Sequence, residues 1–209
     1  MLNRPVVVVL AAGKGSRFAG PQHKLAQPFG VSSVLGSALA GVQASGLPLV
    51  VVATSALAQE AARFVAPRDI VVVRDEDAAR GMGHSIAAGV SARADAPGWL
   101  VLPGDMPLVK PATLLTVADL VAVHPVVYAQ VQGRRGHPVG FAAELLSELL
   151  QLSGDEGARR LVARYPAYGA EVQDPGVLLD VDTVADLESA RQQAPASPAP
   201  QRRLQSVTG

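Results

Sequence analysis

Gly13, Lys14, Gly15, Arg17, Gly20 and Lys24 fall within a dozen residues, directly after an apolar run at residues 5–10. Glycines at such a turn let the backbone bend sharply and approach a ligand without Cβ interference. The first acidic residue of the chain is Glu60, so every formal charge before it is positive. A glycine-rich turn that follows a buried strand and carries only cations suits a polyphosphate. Two better-known phosphate loops do not fit. The dinucleotide fingerprint needs a glycine where Phe18 stands and an acidic residue about 20 positions on, which is absent. The Walker loop needs Lys-Ser or Lys-Thr after Gly20, where the chain has Pro21-Gln22. From these residues alone, an ordinary strand-to-helix turn with surface cations stays open.

The elements that must carry this loop alternate along the chain. Residues 5–10 read as a buried parallel strand, residues 34–44 as a helix capped at Gly46, and residues 49–53 as a second strand. A helix at 56–65, a strand at 70–73, a charged loop at 74–83 and a helix at 84–92 follow. Residues 99–102 form a fourth strand ending in Pro103-Gly104-Asp105, and 114–123 a helix. Residues 126–130 and 138–141 flank the turn Gly133-Arg134-Arg135-Gly136; 177–181 read as a last strand and 184–191 as a closing helix. Alternation of this kind implies an α/β fold, doubly wound, with a mostly parallel sheet. In such sheets ligands collect beyond the carboxyl ends of the strands, where the glycine loop and Asp105 both fall.

Composition narrows the class. The chain has 209 residues, 49% apolar and 17% charged, which reads as one globular domain over residues 1–192. Residues 193–209, rich in Pro, Ser, Gln and Arg, read as a disordered tail. The net charge is zero, which gives no support to nucleic acid or a membrane as partner. There is no cysteine, so thiolate catalysis and disulfides are excluded, consistent with a cytoplasmic protein. None of the four histidines is paired at metal-ligand spacing.

The string Leu10-Ala11-Ala12-Gly13-Lys14-Gly15-Ser16-Arg17, with Lys24-Leu25, resembles the signature of nucleotidyltransferases that activate small molecules with a nucleoside triphosphate. Downstream stand Gly81-Met82-Gly83-His84-Ser85, Pro103-Gly104-Asp105-Met106-Pro107, Gly136-His137-Pro138-Val139, Gly154-Asp155-Glu156-Gly157-Ala158-Arg159 and Asp180-Val181-Asp182-Thr183. In this order the set is similar to the molybdenum cofactor cytidylyltransferase family, of the MocA/MobA-like nucleotidyltransferases. The resemblance covers residues 5 to 190, roughly, and implies the Rossmann-like fold of nucleotide-diphospho-sugar transferases.

What the resemblance implies can be stated residue by residue. Leu10, Ala11, Ala12, Gly13, Lys14 and Gly15 bind the nucleotide, with Gly83 and Ser85 against its base and ribose. For Ser85, plain helix initiation is an equal reading. Lys24, Arg17 and Asp105 are catalytic, and Asp105 with Asp182 holds Mg²⁺; by position alone Asp105 is a turn residue. Asp180 is ranked below Asp182 as a metal ligand, with capping or a salt bridge as its plain role. His137 and, more weakly, Asp155 and Arg159 are substrate-side candidates; Ser153 and Glu156 also have capping-box spacing. His84, and Val31-Ser32-Ser33, depart from the family pattern.

The implied reaction transfers CMP from CTP to the terminal phosphate of a phosphorylated pterin of the molybdenum-cofactor type, releasing pyrophosphate, with a client molybdoenzyme beyond. A phosphomonoester is largely ionised at neutral pH, its second pKa being about 6, so no general base is needed. Ala12 favours CTP over GTP, since guanylyl-transferring relatives have Leu-Ala-Gly-Gly here and an added Cβ narrows the space over the base. A nicotinamide-dependent oxidoreductase of the same fold and a non-catalytic cofactor carrier are the alternatives. The absent ribose carboxylate counts against the first, and the paired carboxylates Asp105 and Asp182 against the second.

Overall fold

The computed structural model describes residues 4–20, 22–155 and 157–194. Its centre is β1 (Val6–Ala11), whose side chains alternate between two cores: Val7, Val9 and Ala11 enter one, Val6 and Val8 the other. Burial on both faces is why this strand is apolar throughout rather than alternating. A small antiparallel hairpin of β2 (Pro28–Phe29) and β3 (Ser32–Ser33) leads into α1 (Val34–Ser45). The Ser33 hydroxyl caps α1 by accepting from the Gly36 N–H at 3.0 Å, and Gly46 ends it at φ 70°.

The chain then continues through β4 (Leu49–Thr54), α2 (Ser55–Ala61), β5 (Ile70–Val73), α3 (Asp75–Ala78), α4 (Met82–Ser91), β6 (Gly98–Pro103) and α5 (Pro111–Leu120). A hairpin of β7 (Val126–Val131) and β8 (Arg134–Ala142) follows, then α6 (Leu146–Leu150), α7 (Arg159–Arg164), β9 (Ala167–Glu171) and α8 (Val184–Gln193). Seven strands form one sheet in the order β5-β4-β1-β6-β8-β7-β9. All neighbours are parallel except β8, which is antiparallel to β6 and to β7. Helices α1, α5 and α8 pack on the face that holds Val7 and Val9, while α4, α6 and α7 cover the face of Val6, Val8 and Trp99. The sheet is therefore doubly wound, and its fold is that of the Rossmann-like nucleotide-diphospho-sugar transferases. Among the described residues no helix is long and apolar enough to cross a membrane.

Several elements differ from the sequence expectation. Residues 177–181 are not a strand: Pro175–Leu178 form a 3-10 turn and the chain runs on as a loop. The strand on that side of the sheet is instead β9, which contains Gly169 and a single buried residue, Ala170, and so shows no apolar run. Residues 74–83 are not all loop, since α3 makes one turn and α4 opens at Met82 rather than His84. Ser153 caps no helix; α7 opens at Arg159 behind Ala158, and Glu156 lies outside the described residues. The hairpin turn is Gln132-Gly133, both at positive φ, so Arg134 to Gly136 belong to β8. Residues 195–209, expected to be a disordered tail, are also outside the described residues.

Two contacts bring the loops at the carboxyl ends of the strands together. The Gly104 N–H donates to the Leu10 carbonyl at 2.8 Å, and the Val181 N–H donates to the Asp105 carbonyl at 2.9 Å. The loop carrying Val181 is in turn anchored by Asp174, which is 2% exposed. Its carboxylate accepts from the Lys110 N–H at 2.8 Å, the Thr113 hydroxyl at 2.6 Å and the Gly176 N–H at 3.1 Å, tying the 3-10 turn to the start of α5. An Asp174→Ala variant leaves those donors without their acceptor. It should lower unfolding free energy by on the order of 3 kcal/mol, read by chemical denaturation. A loss below about 0.5 kcal/mol, the range of an ordinary surface change, would contradict this anchoring role.

Candidate active site

Beyond the carboxyl ends of β1 and β6 lies a crevice of about 690 Å³. One wall is the glycine loop, with Leu10, Ala12, Gly13, Lys14, Gly15 and Arg17. Gly15 sits at φ 60°, the left-handed region that glycine tolerates. Its open side is backed by His23, and a Cβ built on Gly15 would stand 3.1 Å from the His23 ring. His23 Nε2 lies 2.9 Å from the Gly13 carbonyl, and its Nδ1 accepts from the Leu25 N–H at 3.2 Å. An accepting Nδ1 requires the proton on Nε2, so His23 is a neutral strut that donates to Gly13 and fixes the loop from beneath. Sequence reasoning missed His23, because a single histidine carries no pattern; its place between the glycines and Lys24 was the available signal.

The floor is an ionic cluster assembled from residues far apart in the chain. Lys24 Nζ donates to Asp105 Oδ2 at 2.5 Å and to Asp182 Oδ1 at 2.7 Å. Arg17 pairs with the other oxygen, Asp182 Oδ2, at 2.6 Å. The Lys24 side chain is 11% exposed and each carboxylate 16%. Burial by itself pushes the Lys24 pKa down, but the charges and hydrogen bonds of Asp105 and Asp182 outweigh it and hold the ammonium above the ordinary lysine value. Lys24 is therefore charged at neutral pH. Asp105 Oδ1 is buried and, among the described residues, has no hydrogen-bond partner.

Asp180 also lines the crevice, beside Asp182 on the same loop, contrary to its lower rank in the sequence reading. Burial first, then the neighbouring Asp182 and Asp105, push the Asp180 carboxyl up. Asp105 and Asp182 do not face each other bare, since the Lys24 ammonium sits between them. Among the described residues no group of three or more His, Cys, Asp or Glu side chains converges as a metal site.

The opposite wall carries Arg134, Arg135, His137, Asp155 and Arg159. Burial, and the nearby Arg159, push the His137 pKa down against the pull of Asp105, so this imidazole is neutral at neutral pH. Ser85, 6% exposed, reaches the crevice from the first turn of α4 together with Met82. Gly83 does not. Its N–H donates to the Gly154 carbonyl at 3.0 Å, and a Cβ there would stand 2.7 Å from the Ser153 nitrogen, so the glycine serves close backbone packing. Ala11 is likewise off the wall, fully buried in the core and paired with Ala53. His84 is not part of the wall, and its buried Nδ1 has no hydrogen-bond partner among the described residues.

This arrangement combines a polyphosphate-binding turn, a compensated cluster of cations and carboxylates, and a second wall with its own positive charge. Known proteins resemble the chain in sequence and fold. "Purine catabolism protein PucB" from Bacillus subtilis is 31% identical over 199 residues, covering 88% of this chain and 94% of that one. "Bifunctional protein GlmU" from Rhizorhabdus wittichii is 36% identical over 121 residues, but the matched part spans only 26% of its length. The crystal structure of Rv0371c from Mycobacterium tuberculosis superposes with a TM-score of 0.79 at 29% identity, covering 91% of this chain and 100% of that one. A second structure of Rv0371c is a complex with manganese, with a TM-score of 0.74. The family model of the MobA-like NTP transferase domain matches residues 7–170, and the chain belongs to that family.

Proposed function

We propose that this crevice transfers CMP from CTP to the terminal phosphate of a phosphorylated pterin of the molybdenum-cofactor type, with release of pyrophosphate. The observation that carries the proposal is the Lys24–Asp105–Asp182 cluster facing a cation-bearing glycine loop across one crevice. The product would be a dinucleotide form of the cofactor, passed in the cytoplasm to a client molybdoenzyme.

The glycine loop and Lys14 would take the β- and γ-phosphates, with backbone N–H groups aimed inward where glycines leave room. Ala12 and Ser85 flank the space left for base and ribose. An oxygen of the acceptor phosphate forms the new bond to the α-phosphorus. The bond from that phosphorus to the β-bridging oxygen breaks, and pyrophosphate leaves with its electron pair. The attacking oxygen is already ionised, so no proton has to be removed. Lys24, and Arg17 at the mouth, hold both phosphates in line and neutralise the charge that develops between them.

The donor set fits a divalent cation. Asp105 Oδ1 is a buried carboxylate oxygen with no hydrogen-bond partner among the described residues, and Asp182 faces it across Lys24. Two hard oxygen donors, completed by water and phosphate, are the ligand set that Mg²⁺ or Mn²⁺ prefers. When bound, the cation adds charge neutralisation at the α-phosphate. The manganese complex of Rv0371c supports a divalent ion in this family member's relative, and Mg²⁺ is our choice for the working ion.

The direct test mixes the protein, Mg²⁺, phosphorylated pterin and each nucleotide in turn, and follows pyrophosphate and NADH. Pyrophosphate should appear with CTP, metal and acceptor together, and CTP should outperform GTP. Equal or better use of GTP would overturn the base assignment, while NADH oxidation or binding without turnover would overturn the reaction. Asp105→Ala and Asp182→Ala should each cut turnover by about 10²–10³, the usual loss for one charge-stabilising group in a dry site.

The paired state of Lys24 changes what its removal should do. Lys24→Ala should lower turnover by a similar factor of about 10²–10³. It should also destabilise the metal-free protein by about 2 kcal/mol, because two half-buried carboxylates lose their shared cation. Thermal unfolding with and without Mn²⁺ reads this: the metal should stabilise Lys24→Ala more than it stabilises the wild type. Equal stabilisation of both would show that Asp105 and Asp182 do not hold the metal.

A further inference from the structure

Six cationic side chains line the crevice: Lys14, Arg17, Lys24, Arg134, Arg135 and Arg159. Arg17 and Lys24 are paired with Asp182 and Asp105, as described. Across from them Arg135 and Arg159 form no ion pair with a carboxylate among the described residues, yet both line the crevice. They come from separate elements. Arg135 lies near the start of β8 and Arg159 is the first residue of α7.

Arg135 is held in place by the strand that carries it and by the ring it stacks on. The β8 pairing with β6 runs only from Gly98↔Ala142 to Val101↔Val139, so residues 134–138 project past β6 as an arm over the crevice. The arm is fastened at Gly136, where a Cβ would stand 2.1 Å from the Val177 carbonyl oxygen, and at the Gln132 N–H, which donates to Glu171 Oε1 at 2.5 Å. On this arm the Arg135 guanidinium stacks over the Tyr128 ring at 4.6 Å, which immobilises its plane and leaves its N–H edge free to donate. Arg159 follows the segment 153–155 that is packed backbone to backbone against Gly81 and Gly83. The charges of Asp105 and Arg159 act on His137 in opposite directions, the first raising and the second lowering its pKa.

We propose that Arg135 and Arg159 form a separate phosphate subsite that receives the monoester dianion of the acceptor, while Lys14 and the glycine loop serve the triphosphate. A phosphate dianion offers several acceptor oxygens, and two guanidinium groups lining one crevice match it with charge-assisted hydrogen bonds. The inference rests on the nucleotidyl-transfer reading, and it assigns the acceptor as a phosphomonoester held by its phosphate.

The two ideas separate in a binding experiment that needs no turnover. The full-length protein is saturated with α,β-methylene-CTP and Mg²⁺, then titrated calorimetrically with 6-hydroxymethylpterin monophosphate or with the unphosphorylated pterin alcohol. The monophosphate should bind the wild type at least about tenfold more tightly than the alcohol. Arg135→Gln and Arg159→Gln should each weaken the monophosphate by about tenfold and leave the affinity for α,β-methylene-CTP within about twofold. Arg164→Gln, on the same helix as Arg159 but off the crevice wall, should bind both as the wild type does. Wild-type affinity for the monophosphate in both crevice variants, or no preference for it over the alcohol, would overturn the subsite. Loss of α,β-methylene-CTP affinity in the arginine variants would assign these residues to the nucleotide instead. Failure of the wild type to bind α,β-methylene-CTP with Mg²⁺ would overturn the nucleotidyl-transfer reading and the subsite with it.

Discussion

A single ammonium group organises the crevice: Lys24 Nζ stands between Asp105 and Asp182, with hydrogen bonds of 2.5 and 2.7 Å. The three residues come from the segment after the glycine loop, the exit of β6 and the loop before α8. Two carboxylates largely withdrawn from solvent in one crevice would repel, and burial of the lysine alone would push its pKa down. Each makes the other's ionised form tolerable. The backbone supports the same meeting point, since Gly104 bonds to Leu10 and Val181 bonds to Asp105 across the strand ends. The geometry of the site is thus set twice, once by main-chain hydrogen bonds and once by charge.

That compensation also explains how the crevice distributes its cations. Lys24 and Arg17 are committed to carboxylates, so a triphosphate arriving with a metal would exchange partners within an existing cluster instead of binding to bare charge. Lys14 remains on the glycine loop, with His23 holding the loop from below through Gly13. On the far wall Arg135 is positioned by stacking on Tyr128. Rigid supports behind exposed charges are what a site needs if its ligands are to be aligned rather than merely attracted.

Local features were legible in the sequence and long-range ones were not. The buried strands β1, β4 and β6, the Gly46 cap and the glycine loop depend on runs and turns of a few residues, and the structure has them where the pattern put them. Val177, Leu178, Leu179 and Val181 read as a strand ending at Asp182; Asp174, buried and accepting from three donors, instead ties this segment into a 3-10 turn. Asp180 and Asp182, two residues apart, both reach the crevice from the loop that follows. β9 escaped notice because an edge strand with Gly169 and one buried side chain needs no apolar run. Gly83 was assigned to the nucleotide by resemblance, yet its immediate neighbour is the backbone of Ser153 and Gly154. The pairing of Lys24 with residues 81 and 158 positions away has no signature in any short window.

Nucleotidyl transfer at this crevice would carry the α-phosphorus to the acceptor. Parallel reactions with CTP labelled by ³²P at the α- or the γ-position, in the presence of Mg²⁺ and phosphorylated pterin, test it most directly. The account predicts that the α-label passes to the pterin product and the γ-label leaves in pyrophosphate. Transfer of the γ-label to the pterin, which would make the protein a kinase, or release of both labels without a labelled pterin product, would contradict it.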